Sequence, residues 1–213
     1  MNNYPKKIKE VVIEGYSFGK VQFEILLKIL QQLEPTTICF DNCSLTDSQV
    51  TSILENCPKV VYFSAKFNKI QNFEFPKNSQ PDVPESLNGP ILGHLKAIDL
   101  SWNLLTCFNL PRSNRLEYLD LSHSSLAAEG LKLILDKRIN PMTIKTLLLK
   151  TATRVDSKAV LGPLTELIRR AHQLEYLHIN LSVFEGLRQA ISPKGPQKAL
   201  NQAEERQIVS CAV

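Results

Sequence analysis

Apolar residues in this chain recur in one eleven-position frame, L-x-x-L-x-L-x-x-N-x-L. Leu95, Ile98, Leu100 and Leu105 fill its apolar positions, with Asn103 in the ninth; Leu116, Leu119, Leu121 and Leu126 repeat it, with Ser124 in the ninth. Leu174, Leu177, Ile179, Ser182 and Phe184 keep the same spacing. Val60, Phe63, Ala65, Asn68 and Ile70 form another copy, as do Ile38, Phe40, Cys43 and Leu45 after Pro35. Ile8, Val11, Ile13 and Phe18 make a degenerate first copy, and Ile144, Leu147, Leu149 and Ala152 a degenerate sixth. Seven copies therefore begin at residues 8, 35, 60, 95, 116, 144 and 174.

In each copy x-L-x-L predicts a short strand whose fourth and sixth positions face a core, while the third, fifth and seventh face outward. The ninth residue, Asn, Ser or Cys, can bond turn backbone that would otherwise be buried without partners. Between the strands, helical spacing appears four times. Val21 to Leu33 carries Phe23, Leu26, Leu27, Leu30 and Leu33. Thr46-Asp47-Ser48-Gln49 reads as a capping box opening a helix with Val50, Ile53 and Leu54. Ala127 to Lys137 carries Leu131, Leu133, Ile134 and Leu135. Pro163 to Ala171 carries Leu164, Leu167 and Ile168, with the proline in the first turn, where its missing N–H costs nothing. Residues 71–93, with Pro76, Pro81, Pro84 and Pro90, read as an inserted surface loop. The segment 192–213 is a polar tail or cap, with Leu200 to Val209 as a candidate capping helix.

These repeats resemble the leucine-rich repeat family over residues 8 to 190. Leu126-Ala-Ala-Glu-Gly130-Leu-Lys-Leu-Ile-Leu135 is similar to the strand-to-helix passage of its ribonuclease-inhibitor-like subclass, although the short fourth repeat departs from that pattern. The resemblance implies one domain over 1–191: a right-handed α/β solenoid, or horseshoe, with seven parallel strands on the concave face and helices on the convex face. Stacking is the physical reason, since no single copy can bury its own apolar face.

Composition narrows the function. The chain has 213 residues, 43% of them hydrophobic, enough for a continuous core. Its 25 Lys and Arg against 21 Asp and Glu leave a net charge of +4, too little and too scattered to argue for nucleic acid. No apolar run approaches the roughly 20 residues that span a bilayer, and the N-terminus lacks a signal-peptide core. The five cysteines lack paired metal spacing and read as reduced thiols of a cytoplasmic protein. No phosphate-binding loop, dinucleotide fingerprint, zinc-protease motif or nucleophile elbow occurs, and neither cofactor nor metal is expected. Asp99 and Asp120 share a slot in adjacent repeats, about 5 Å apart, but Asp is common in L-D-L-S repeats and catalysis is not expected.

What remains is a surface. The outward slots carry Tyr62, Tyr118 and Tyr176 in the third position and Asp99, Asp120 and His178 in the fifth; Phe67, Trp102 and His123 stand beside them in the eighth. Tyr and Trp concentrate binding energy at interfaces. The expected site is therefore Tyr62, Asp99, Trp102, Tyr118, Asp120, His123, Tyr176 and His178. Phe67 and Trp102 turned inward between repeats would be the competing arrangement. The expected function is a non-enzymatic, monomeric module binding another protein, in which the two carboxylates repel and favour a Lys- or Arg-bearing partner. The alternatives are a bacterial effector acting in a host cytosol and a regulator of a small GTPase.

Overall fold

The computed structural model describes residues 8–74, 93–109, 115–124, 126–135, 139–150, 157–180 and 209–212. Ten strands occur in chain order: β1 (Glu10–Glu14), β2 (Thr37–Asp41), β3 (Tyr62–Ser64), β4 (Asn72–Glu74), β5 (Ala97–Asp99), β6 (Cys107–Asn109), β7 (Tyr118–Asp120), β8 (Thr146–Leu148), β9 (Tyr176–Asn180) and β10 (Val209–Ala212). Eight of them form one sheet in the order β1-β2-β3-β5-β7-β8-β9-β10, and every neighbouring pair is parallel. The register joins equal positions of the frame, since Glu10 lies opposite Thr37, Thr37 opposite Tyr62, and Tyr62 opposite Ala97. Ala97 then lies opposite Tyr118, Tyr118 opposite Thr146, and Thr146 opposite Tyr176. The fold class is α/β with a parallel sheet.

Seven strands were expected and the sheet has eight. The extra one, β10, comes from the segment read as a tail, with Val209 opposite Leu177 and Cys211 opposite Ile179. It covers backbone donors and acceptors that the edge of β9 would otherwise expose. Of the helix expected over 200–209, all but Val209 lies outside the described residues.

Side chains in the ninth slot tie one repeat to the next. Asn68 Oδ1 accepts the N–H groups of Cys43 and Leu45 at 3.0 and 2.8 Å, and its Nδ2 donates to the carbonyls of Phe40 and Lys66. Asn103 Oδ1 accepts from Ile70 N–H at 3.1 Å while Nδ2 reaches the carbonyls of Ala65 and Leu100. Ser124 and Cys43 do less in the same slot, donating to Leu121 O and to Ile13 O and Asp41 O.

Among the described residues four α-helices lie on the core side of the sheet: α1 (Lys20–Leu33), α2 (Asp47–Asn56), α3 (Ala128–Leu133) and α4 (Ser157–Arg170). The capping box of α2 forms, with Thr46 N–H donating to Gln49 Oε1 at 3.0 Å. The α-helical part of α3 passes into a π-helical turn at Ile134 and Leu135, and residues 136 and 137 of the expected span 127–137 lie outside the described part. One expectation is corrected. Helix α4 begins at Ser157, so Pro163 lies inside it rather than in its first turn. The apolar stripe explains the longer helix, because Val160, Leu164, Leu167 and Ala171 are all buried at helical spacing.

The outer layer also holds something the sequence reading lacked. Strands β4 and β6 pair in a second, two-stranded parallel sheet, with Phe73 and Phe108 buried and stacked at 5.1 Å. The start of the segment read as a loop is thus a strand; residues 75–92 lie outside the described part. The short fourth repeat leaves no length for a helix, and a strand covers the core with fewer residues. Buried side chains from Phe23 to Ile179 form one cluster among the described residues. Among the described residues, no helix is long and apolar enough to cross a membrane.

Candidate functional site

The face of the main sheet turned away from the core carries the third, fifth and seventh slots. Tyr62 and Tyr118 are half-buried there, and Tyr176 is exposed. Asp99 and Asp120 are not the open acidic pair expected, for their relative exposures are 5% and 9%. Asp99 Oδ1 accepts from Ser101 N–H at 3.0 Å and Ser101 Oγ at 2.7 Å. Asp120 Oδ1 accepts from Ser122 N–H at 2.8 Å, and Tyr118 lies beside the Asp120 carboxylate.

Lys66 completes a charged row. Its Nζ lies 3.3 Å from Asp41 Oδ2 and 4.0 Å from Asp99 Oδ2, while Ser64 donates to Asp41 Oδ1 at 2.6 Å. Burial raises the Asp99 pKa, against the bonds from Ser101, and Asp120 adds to the rise. Burial also raises the Tyr118 pKa well above the phenol range, followed by the Asp120 and Asp99 charges, so Tyr118 stays a protonated donor. Both carboxylates have hydrogen-bond donors inside the protein, and Asp99 also has the Lys66 ammonium beside it.

The eighth slot holds the least expected geometry. Its N–H in each repeat donates to the seventh-slot carbonyl of the next: Gly15 to Asp41, Asn42 to Lys66, Phe67 to Ser101, Trp102 to Ser122 and His123 to Lys150, at 2.8 to 3.2 Å. That ladder holds all five residues in left-handed backbone, with φ of 68°, 53°, 54°, 59° and 55° in the same order. Gly and Asn tolerate the conformation, but bulky residues rarely adopt it, at a cost of about 1–2 kcal/mol each.

The three rings stack along the sheet. Phe67 and Trp102 lie 5.1 Å apart at 17°, and Trp102 and His123 lie 3.8 Å apart at 15°. Phe67 is 52% and Trp102 49% exposed, so neither turns inward. Two such stacks return about 0.5–1.5 kcal/mol each, less than three strained residues cost. His123 is held below the ordinary imidazole pKa by burial and then by the nearby Lys150 ammonium.

Of the expected site residues, Tyr62, Asp99, Tyr118 and Asp120 form one polar cluster around Lys66, and Trp102 and His123 belong to the ring stack. Tyr176 and His178 meet edge to face at 6.5 Å on β9, two strands from Tyr118. His178 Nε2 is buried and has no hydrogen-bond partner among the described residues. Phe67, Lys66, Asp41 and Ser101 were missing from the expected site. Phe67 was findable, because aligning the eighth slots gives Gly15, Asn42, Phe67, Trp102 and His123, in which rings replace residues suited to a tight turn. No protein-family model matches the chain, and no curated protein matches it.

Proposed function

We propose that the chain is a leucine-rich-repeat solenoid whose curved inner face binds another protein without catalysis, as a monomer in a reducing cytosol. Support for the solenoid comes from the sequential parallel order of β1 to β9 and the frame-to-frame register. The observation that carries the binding role is the alternation of large and small residues across the third slot: Tyr62, Ala97, Tyr118, Thr146, Tyr176. Strands spaced about 4.8 Å apart put successive tyrosines about 10 Å apart, and the steps over Ala97 and Thr146 are wide enough for a partner's apolar side chain. Tyrosine suits this role because it buries a large area while losing little rotamer freedom.

Tyr118→Ala should therefore weaken a partner complex by about 1–3 kcal/mol. The test is quantitative affinity capture from cytosol with wild-type and Tyr118→Ala/Tyr176→Ala baits. Proteins recovered equally by both baits do not use this face, and recovery of nothing that separates the two would remove the reading.

A further inference from the structure

The ring stack asks for an explanation that folding does not supply. All five repeats whose eighth slot is described impose the same left-handed backbone on it, and Gly15 and Asn42 meet that demand with little strain. The three central repeats meet it with Phe67, Trp102 and His123, and the first two rings stay half-exposed instead of joining the core. Strain at exposed side chains is a mark of function when the surrounding fold enforces it.

The chemistry of the exposed groups points to the occupant. The inner ring faces are consumed by the stack, because separations of 3.8 and 5.1 Å admit neither a base nor a guanidinium between rings. What the stack offers is its edges, where aromatic quadrupoles are positive, together with the indole N–H, which can only donate. Lys150 lies near His123 at one end, and the exposed Lys69 stands two residues after Phe67 in the chain. Neither lysine has an ion pair among the described residues. The acceptors of the neighbourhood, Asp99 and Asp120, are buried and engaged. Leu104, half-exposed two residues beyond Trp102, adds an apolar edge.

We infer that the stack of Phe67, Trp102 and His123 is a docking ledge for an acidic peptide segment of a partner protein, one that sets apolar side chains between Asp or Glu residues. This deepens the proposed function and rests on it. The carboxylates meet the lysines and the indole N–H, while the apolar side chains cover the ring edges and Leu104.

Two variants separate ledge from fold. Phe67→Asn/Trp102→Asn copies the residue already present at Asn42, so it should fold with an unchanged or higher melting temperature. Random peptides displayed on phage are selected on the wild-type protein and counter-selected on this variant. Peptides rich in Asp or Glu with apolar neighbours should be enriched, should lose at least tenfold in affinity on the variant, and should shift the emission of Trp102, the only tryptophan.

Enrichment of Lys- and Arg-rich peptides would overturn the inference, as would a single-stranded oligonucleotide that perturbs Trp102 more strongly than the selected peptides do. Peptides that bind both proteins equally but lose affinity on Tyr118→Ala would leave the proposed function standing and remove the ledge. Failure of any peptide to distinguish wild type from either variant would remove both.

Discussion

Asn103 shows how much one side chain does in this protein. It is 2% exposed, and its amide bonds Ile70 N–H on one side and the carbonyls of Ala65, Leu100 and Ser101 on the other. Leucine has a similar branched shape, though a larger one, and would leave those backbone groups unpaired in the interior. Asn103→Leu should therefore cost on the order of 3 kcal/mol, read as a lower denaturant midpoint with little change in slope. Ser124 makes one such bond where Asn68 makes four, so Ser124→Ala should cost far less. At this scale the ninth slot was legible from residue type and spacing alone. Asp99 and Asp120 were not, because a position that points outward on an ideal strand can still be covered by tyrosines and lysine from neighbouring strands.

Among the elements, α4 carries a contradiction that mutation can resolve. Pro163 sits inside the helix, where it removes the bond to the Ala159 carbonyl and crowds the preceding turn. Burial of Val160, Leu164 and Leu167 holds the helix together across that gap. Pro163→Ala should restore the bond and stabilise the protein by about 1–3 kcal/mol, seen as a higher melting temperature. The sequence rule that places proline at a helix start failed here because the apolar stripe begins before it. For α1 and α2 the same kind of rule worked, since their stripes and the Thr46–Gln49 box coincide with the ends of the pattern. Strands β4 and β6 had no comparable signal, and each exists because the other lies beside it.

Across the whole molecule, neighbouring repeats are joined by charge as well as by packing. Glu117 bridges Lys96 and Lys145 at 2.7 and 2.6 Å, linking three successive strands at their N-terminal ends. The bonds from Lys145 and then Lys96 lower its pKa from an ordinary 4.5 to about 2. A carboxyl with a depressed folded pKa contributes stability that is present above its unfolded pKa and lost as pH falls through the folded one. Stability should accordingly decline between about pH 4.5 and pH 2. Glu117→Gln should flatten that decline in pH-dependent melting, and its cost at neutral pH should stay near 1 kcal/mol because the pairs are partly solvated.

The sequence by itself determined the repeat frame, the strand positions, the inward and outward sides of each strand and the bonding role of the ninth slot. These depend on local periodicity, which every copy states independently. Only the tertiary structure decided what neighbouring copies do to each other. It stacked Phe67, Trp102 and His123 into one row, buried Asp99 and Asp120 against Ser101, Ser122 and Tyr118, and drew β10 onto the edge of β9. The left-handed turn beneath the rings is imposed by hydrogen bonds from one repeat to the next. A single copy read along the chain carries no trace of a bond whose other half lies in the following copy.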